Sequence, residues 1–123
     1  MTTCATSRLI LADRLAACRE ARSFVANFAR LNRWSGSLTD AVLVIDELVA
    51  NAVTHAQGEC VVECGVSNSM LHLAVHDRDP APATTTDTPG PNGGYGLRVV
   101  AAVSDEWGCE PEPTGKVVWA DLR

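Results

Sequence analysis

The segment Ala52-Val53-Thr54-His55-Ala56-Gln57-Gly58-Glu59-Cys60-Val61-Val62-Glu63-Cys64-Gly65-Val66 contains the change of period on which the fold turns. Upstream of it, Val42, Ile45, Val49, Ala52 and Ala56 recur every three or four residues and make one apolar helix face. Ser37-Leu38-Thr39-Asp40 has the form of a capping box, and Gly58 can stop the helix in a left-handed conformation. The spacing therefore predicts a helix from about Leu38 to Gln57. Downstream the period is two. Cys60 to Val66 and Met70 to His76 are β-rich runs joined by Ser67-Asn68-Ser69, a hairpin signal.

Outward from this centre, residues 14–32 read as a helix, because Ala17, Ala21, Phe24, Phe28 and Leu31 share a face, with Asp13 as its N-cap. Arg8-Leu9-Ile10-Leu11 fits either an added helical turn or a short edge strand, and strand is the reading taken here. Residues 80–94 hold four of the six prolines, three glycines and a run of threonines, which predicts a long mobile loop. Leu97 to Val103 follows as a short helix. Glu106 to Glu110 and Lys116 to Leu122, separated by Pro111-Glu112-Pro113-Thr114-Gly115, form a closing pair of strands. Short turns between consecutive strands imply antiparallel pairing, so the expected class is α+β, with helices laid on one face of a mostly antiparallel sheet.

The chain has 123 residues, 46% of them hydrophobic, and a net charge of −5 with a single lysine, Lys116. That length predicts one domain, residues 1–123, able to bury roughly two thirds of its unfolded surface without disulfide or metal. The acidic balance disfavours nucleic acid and anionic membranes as partners. No apolar window is long enough for a bilayer, and residues 1–8 lack the order of a signal peptide, so a cytoplasmic location is expected. Five cysteines without a CxxC pair fit reduced, packed thiols. Cys60 and Cys64, four residues apart on one strand, are separated by roughly 13 Å and cannot bridge. The same spacing keeps His72 and His76 from sharing a metal.

Three constellations carry possible chemistry. Glu47, Asn51 and His55, spaced by four and four with Thr54 beside them, form a polar stripe closely flanked by Val44, Leu48 and Ala50. Glu and Asn supply the hard oxygens that Mg²⁺ prefers, although a solvated helix face would look similar. Asp77, in Val75-His76-Asp77-Arg78-Asp79-Pro80, stands at a strand end where a carboxylate could accept from an exocyclic amine or simply start a turn. Gly93-Gly94-Tyr95-Gly96 before a helix offers backbone amides to an anion. It is neither a Walker loop nor a Rossmann fingerprint, because no Lys-Ser or Lys-Thr follows and Val99 stands where the third glycine belongs.

In this order the three resemble the nucleotide-binding boxes of the GHKL ATPase superfamily, and within it the small anti-sigma-factor serine/threonine kinases of bacteria, in their actinobacterial form. Glu47-Leu48-Val49-Ala50-Asn51-Ala52-Val53-Thr54-His55-Ala56 is similar to that family's N box. Asp77 with Pro80 resembles the first glycine box and Gly94-Tyr95-Gly96-Leu97 the second. Trp107-Gly108 and Lys116-Val117-Val118-Trp119-Ala120 resemble the closing strands, so the likeness spans about residues 8–122.

The resemblance implies a two-layer Bergerat sandwich of the histidine kinase/Hsp90-like ATPase kind, with ATP and Mg²⁺ as cofactors. It implies Asn51 as the Mg²⁺ ligand, Glu47 as the general base and Asp77 as the acceptor for the adenine amine. Pro80 would border that pocket, Gly94, Gly96 and Leu97 would shape the phosphate region under a lid of residues 80–94, and His55 would support it. The implied partners are a sigma factor and an anti-sigma antagonist protein, with a homodimer possible. Asp77-Arg78-Asp79-Pro80-Ala81 has no glycine where wider GHKL proteins have two, which implies a differently shaped adenine pocket. Apart from Arg78, no basic residue follows until Arg98, so phosphate charge would rest on Mg²⁺ and backbone amides. Two other readings stay open: a non-catalytic module whose conformation is set by nucleotide, and a small α+β protein that binds none.

Overall fold

A computed structural model describes residues 4–55, 58–81, 83 and 96–123. Five strands and three helices occur in the order β1 (Cys4–Leu11), α1 (Ala17–Leu31), α2 (Leu38–His55), β2 (Cys60–Ser67), β3 (Met70–Asp77), α3 (Gly96–Val103), β4 (Glu106–Glu112) and β5 (Gly115–Leu122). The strands form one antiparallel sheet in the order β1-β2-β3-β5-β4. The α+β class, the hairpin and the closing strand pair are as predicted.

Register and period together decide which side chains meet the helices. Leu11 pairs with Cys60, Leu9 with Val62, Val62 with Val75 and Val75 with Val118. These positions form the row that packs under the helices, together with the buried Cys64, Leu71, Leu73, Ala120 and Leu122. Alternate positions form the opposite face. There Arg8 approaches Glu63, the His76 imidazole bridges Glu63 and Glu112, and His72 contacts Asp121 and stacks on Trp119.

α2 packs against α1, α3 and strands β2, β3 and β5. Being covered on several sides, it buries Ala41, Val44, Ile45, Leu48, Val49 and Ala52 almost completely. This stripe is broader than the predicted one: Val42 is only half-buried, while Val44 and Leu48, read as flanks of the polar stripe, are core. The Ser37 hydroxyl accepts from the Asp40 amide at 3.1 Å, as the capping box predicts. Gly58 has φ +86°, the left-handed conformation expected of it.

Several boundaries differ from expectation. β1 begins at Cys4 because the whole of residues 4–11 pairs with β2, which settles the ambiguous segment as strand. α1 begins at Ala17, since Asp13 accepts from the Leu15 amide at 3.0 Å and thereby caps a preceding turn; the helix's own N-cap is Ala16. Leu31, predicted to face the core, is 82% exposed at the helix end, and Val25 and Ala29 complete the buried face instead. The β2–β3 turn is Asn68-Ser69, both left-handed, which matches the strand twist. Pro111 lies within β4, where an edge strand tolerates its missing N–H. All five cysteines are free, but Cys4 is exposed instead of packed. The predicted loop over 80–94 lies almost entirely outside the described residues.

Candidate functional site

Glu47 projects from the middle of α2 toward the start of α3. A Cβ built on Gly96 would stand 2.7 Å from Glu47 Oε2, so the absence of a side chain at Gly96 lets this carboxylate reach the α3 N-terminal backbone. The Glu47 carboxyl is raised above its ordinary value, first by burial and then by the adjacent Asp46. Asp46 itself pairs with Arg22 on α1 at 2.5 Å. One turn after Glu47, Asn51 is half-buried. Thr54 leaves the polar stripe, donating its hydroxyl to the Ala50 carbonyl at 2.7 Å. His55 closes α2, and its side chain lies outside the described residues.

Asp77 ends the core-facing row of β3 and is only 5% exposed. Its Oδ1 accepts from the Asp79 amide at 2.8 Å and from Lys116 Nζ at 3.2 Å. The ammonium also donates to the Asp79 carbonyl at 3.1 Å and lies 3.8 Å from Asp79 Oδ2. Lys116 stands opposite Asp77 in the β3–β5 register and is 2% exposed. Asp77 and Lys116 are the buried charged residues of the described chain. At Gly115 a Cβ would collide with the Asp77 carbonyl oxygen, so the strand end is held close to the backbone before Lys116.

The sequence reading assigned Lys116 only to a closing strand. The period of two in Lys116, Val118, Ala120 and Leu122 places it on the inward row, but a lysine usually sits outside, and nothing local announced its partner.

Of the other candidates, Pro80 is exposed just beyond Asp79, while Gly94 lies outside the described residues. Leu97 is 6% exposed and belongs to the core, anchoring α3 next to Gly96. Because α2 packs on both β3 and α3, it lies between the segments that carry Asp77 and Gly96. The described residues contain no cluster of three or more His, Cys, Asp or Glu able to hold a metal alone. The hard oxygens of Glu47 and Asn51, one turn apart on α2, fit Mg²⁺ held by one or two protein oxygens together with ligand phosphates. The α3 N-terminal backbone beside Gly96 and the buried acceptor Asp77 likewise fit a nucleotide.

Three helices on one face of a five-stranded antiparallel sheet, with the Glu47–Gly96 approach beside them, define an α+β sandwich of the histidine kinase-like ATPase kind. The sequence profile of the histidine kinase-like ATPase domain matches residues 11–122, and the chain belongs to that family. Among solved structures, it is similar to one described as the RsbU and RsbW domains of Rv1364c from Mycobacterium tuberculosis, with TM-score 0.74 and 21% identity. The match covers 97% of this chain and 32% of that one, so the present chain spans about a third of its length. Comparison with curated proteins gave no match. No described helix is long and apolar enough to cross a membrane.

Proposed function

We propose that residues 1–123 form a single ATP-binding unit that acts as a cytoplasmic anti-sigma-type regulator. Its reaction would be phosphorylation of a serine or threonine on an anti-sigma antagonist protein. The observation that carries this reading is the Glu47 carboxylate seated against the Gly96 backbone at the start of α3. That arrangement sets a group able to take a proton beside a helix end able to receive phosphate oxygens. The raised Glu47 carboxyl makes it a better base near neutral pH than an ordinary carboxylate. Similarity to the mycobacterial structure that contains an RsbW domain supports a regulator of this kind, with a sigma factor and an antagonist as partners.

In this reading Asn51 would hold Mg²⁺ through its amide oxygen, and Asp77 would accept from the adenine amine. Bound ATP with Mg²⁺ supplies the phosphoryl group and neutralises its charge. Glu47 removes the proton of the attacking hydroxyl, Gly96 leaves room for the Glu47 carboxylate at the phosphate end of the site, and Leu97 fixes α3 in place. Incubating the protein with ATP, Mg²⁺ and a candidate antagonist, and weighing the antagonist, tests the proposal: a gain of one phosphoryl group on a serine or threonine is expected. ATP binding without transfer to any antagonist would overturn the kinase assignment, and no ATP binding would overturn the whole reading.

A further inference from the structure

Lys116 occupies the first inward position of β5, where Val118, Ala120 and Leu122 continue the row as apolar residues. It is the only lysine in the chain, and its side chain is 3% exposed against 1% for Asp77. A buried ion pair gives little net stability compared with an apolar pair of similar volume, so packing alone does not account for it. Its ammonium is engaged locally, on Asp77 Oδ1 and on the carbonyl of Asp79, with the Asp79 carboxylate close by. One ammonium therefore ties the end of β3 to the turn that follows it. Because Oδ1 already receives Lys116 and the Asp79 amide, a ligand donor would meet Asp77 at Oδ2.

We propose that Lys116 is a positioning residue for base recognition, its ammonium fixing the Asp77 carboxylate as an acceptor for the 6-amine of an adenine nucleotide. This inference rests on the ATP-binding reading above. A carboxylate held in this way accepts hydrogen bonds and offers none, so it favours the amine of adenine over the carbonyl of hypoxanthine at the same ring position. Without the ammonium, the carboxylate keeps only the Asp79 amide of the two donors that fix its rotamer, and the preference between the two bases fades. Lys116 itself need not touch the nucleotide.

The test titrates ATP and ITP, each with Mg²⁺, against the wild type and four variants, following affinity by calorimetry and recording the melting temperature in parallel. The wild type is expected to prefer ATP. Lys116→Met should lower the ATP/ITP affinity ratio by about tenfold or more, the scale of one charge-assisted hydrogen bond. Lys116→Arg, which keeps the cation, should retain most of it. In the Asp77→Asn background, adding Lys116→Met should leave the ratio unchanged, because the lysine acts only through Asp77.

A merely structural lysine gives a different result: Lys116→Met melts lower while the folded protein keeps the wild-type ratio, which overturns the inference. Equal wild-type affinity for ATP and ITP also overturns it and leaves nucleotide binding intact, whereas no wild-type binding of either overturns the ATP reading and this inference with it. Should Lys116→Met not fold, Lys116→Gln takes its place, and a wild-type ATP/ITP ratio in that folded variant overturns the inference; Asp77→Asn is still compared with Asp77→Asn/Lys116→Met. A further change of ratio between those two means that the lysine acts on the base by another route, which overturns the inference as well.

Discussion

Glu47 is raised by burial and by Asp46, and the sign of that shift has consequences for stability as well as for chemistry. The folded chain binds this proton more tightly than the unfolded chain. The carboxyl therefore costs stability when ionised, above its folded-state value, and the cost vanishes as pH falls below the ordinary 4.5. Glu47→Gln should melt at or above the wild-type temperature at about pH 7, with the margin closing toward about pH 4, as thermal scans at several pH values will show. The same variant keeps shape but loses basicity, so phosphoryl transfer should fall by about 10²-fold or more while ATP affinity changes little. Asn51→Ala should instead remove Mg²⁺-dependent ATP binding, measured by calorimetry; equal losses in both variants would make Glu47 a metal ligand. Gly96→Ala places a methyl 2.7 Å from Oε2, the far end of a flexible side chain. Its melting temperature should hardly move while transfer drops, because the carboxylate must swing away.

Among the elements, the β3–β5 pairing carries the most consequence, since it joins the two halves of the sheet and sets Asp77 opposite Lys116. At Gly115 the obstructing atoms are backbone, the Asp77 carbonyl oxygen and, at 2.7 Å, the Arg78 Cα, and neither can rotate aside. Gly115→Ala should cost about 3 kcal/mol or more in urea unfolding, far beyond an ordinary surface change. The elements also show what a sequence exposes and what it hides. Period marks α2, β2 and β3 correctly, because each repeats one pattern over several turns or pleats. Residues 8–11 are ambiguous because four residues fit both periods, and only pairing with β2 out to Cys4 resolves them. The buried breadth of α2 is hidden because covering by α1, α3 and the sheet together is a tertiary property that a single apolar stripe does not report. Lys116 is hidden for the related reason that its burial depends on a carboxylate 39 positions away.

The described residues share one helix-covered core, and the thiols report on that core directly. Burial pushes the Cys64 thiol up to about 12, and burial, with Asp77 and Cys18 adding to it, pushes Cys60 up to about 11. Alkylation near neutral pH, followed by peptide mass, should therefore label exposed Cys4 in the native protein and reach Cys60 and Cys64 only on unfolding. If ATP with Mg²⁺ binds the folded chain alone, a concentration of about 100 times its dissociation constant should raise the melting temperature by about 5–10 °C. Sheet order adds a kinetic dimension. The β2–β3 and β4–β5 hairpins are local and close over two-residue turns, whereas β3 and β5 are neighbours in space separated in sequence by α3, β4 and the segment before them. Closing a long loop costs more entropy than closing a two-residue turn, so the hairpins are expected to precede the central seam. Asp77 and Lys116 meet only when the seam closes. In a refolding experiment, the ability to bind nucleotide should therefore emerge after the hairpins have formed, making the ligand a probe of seam closure.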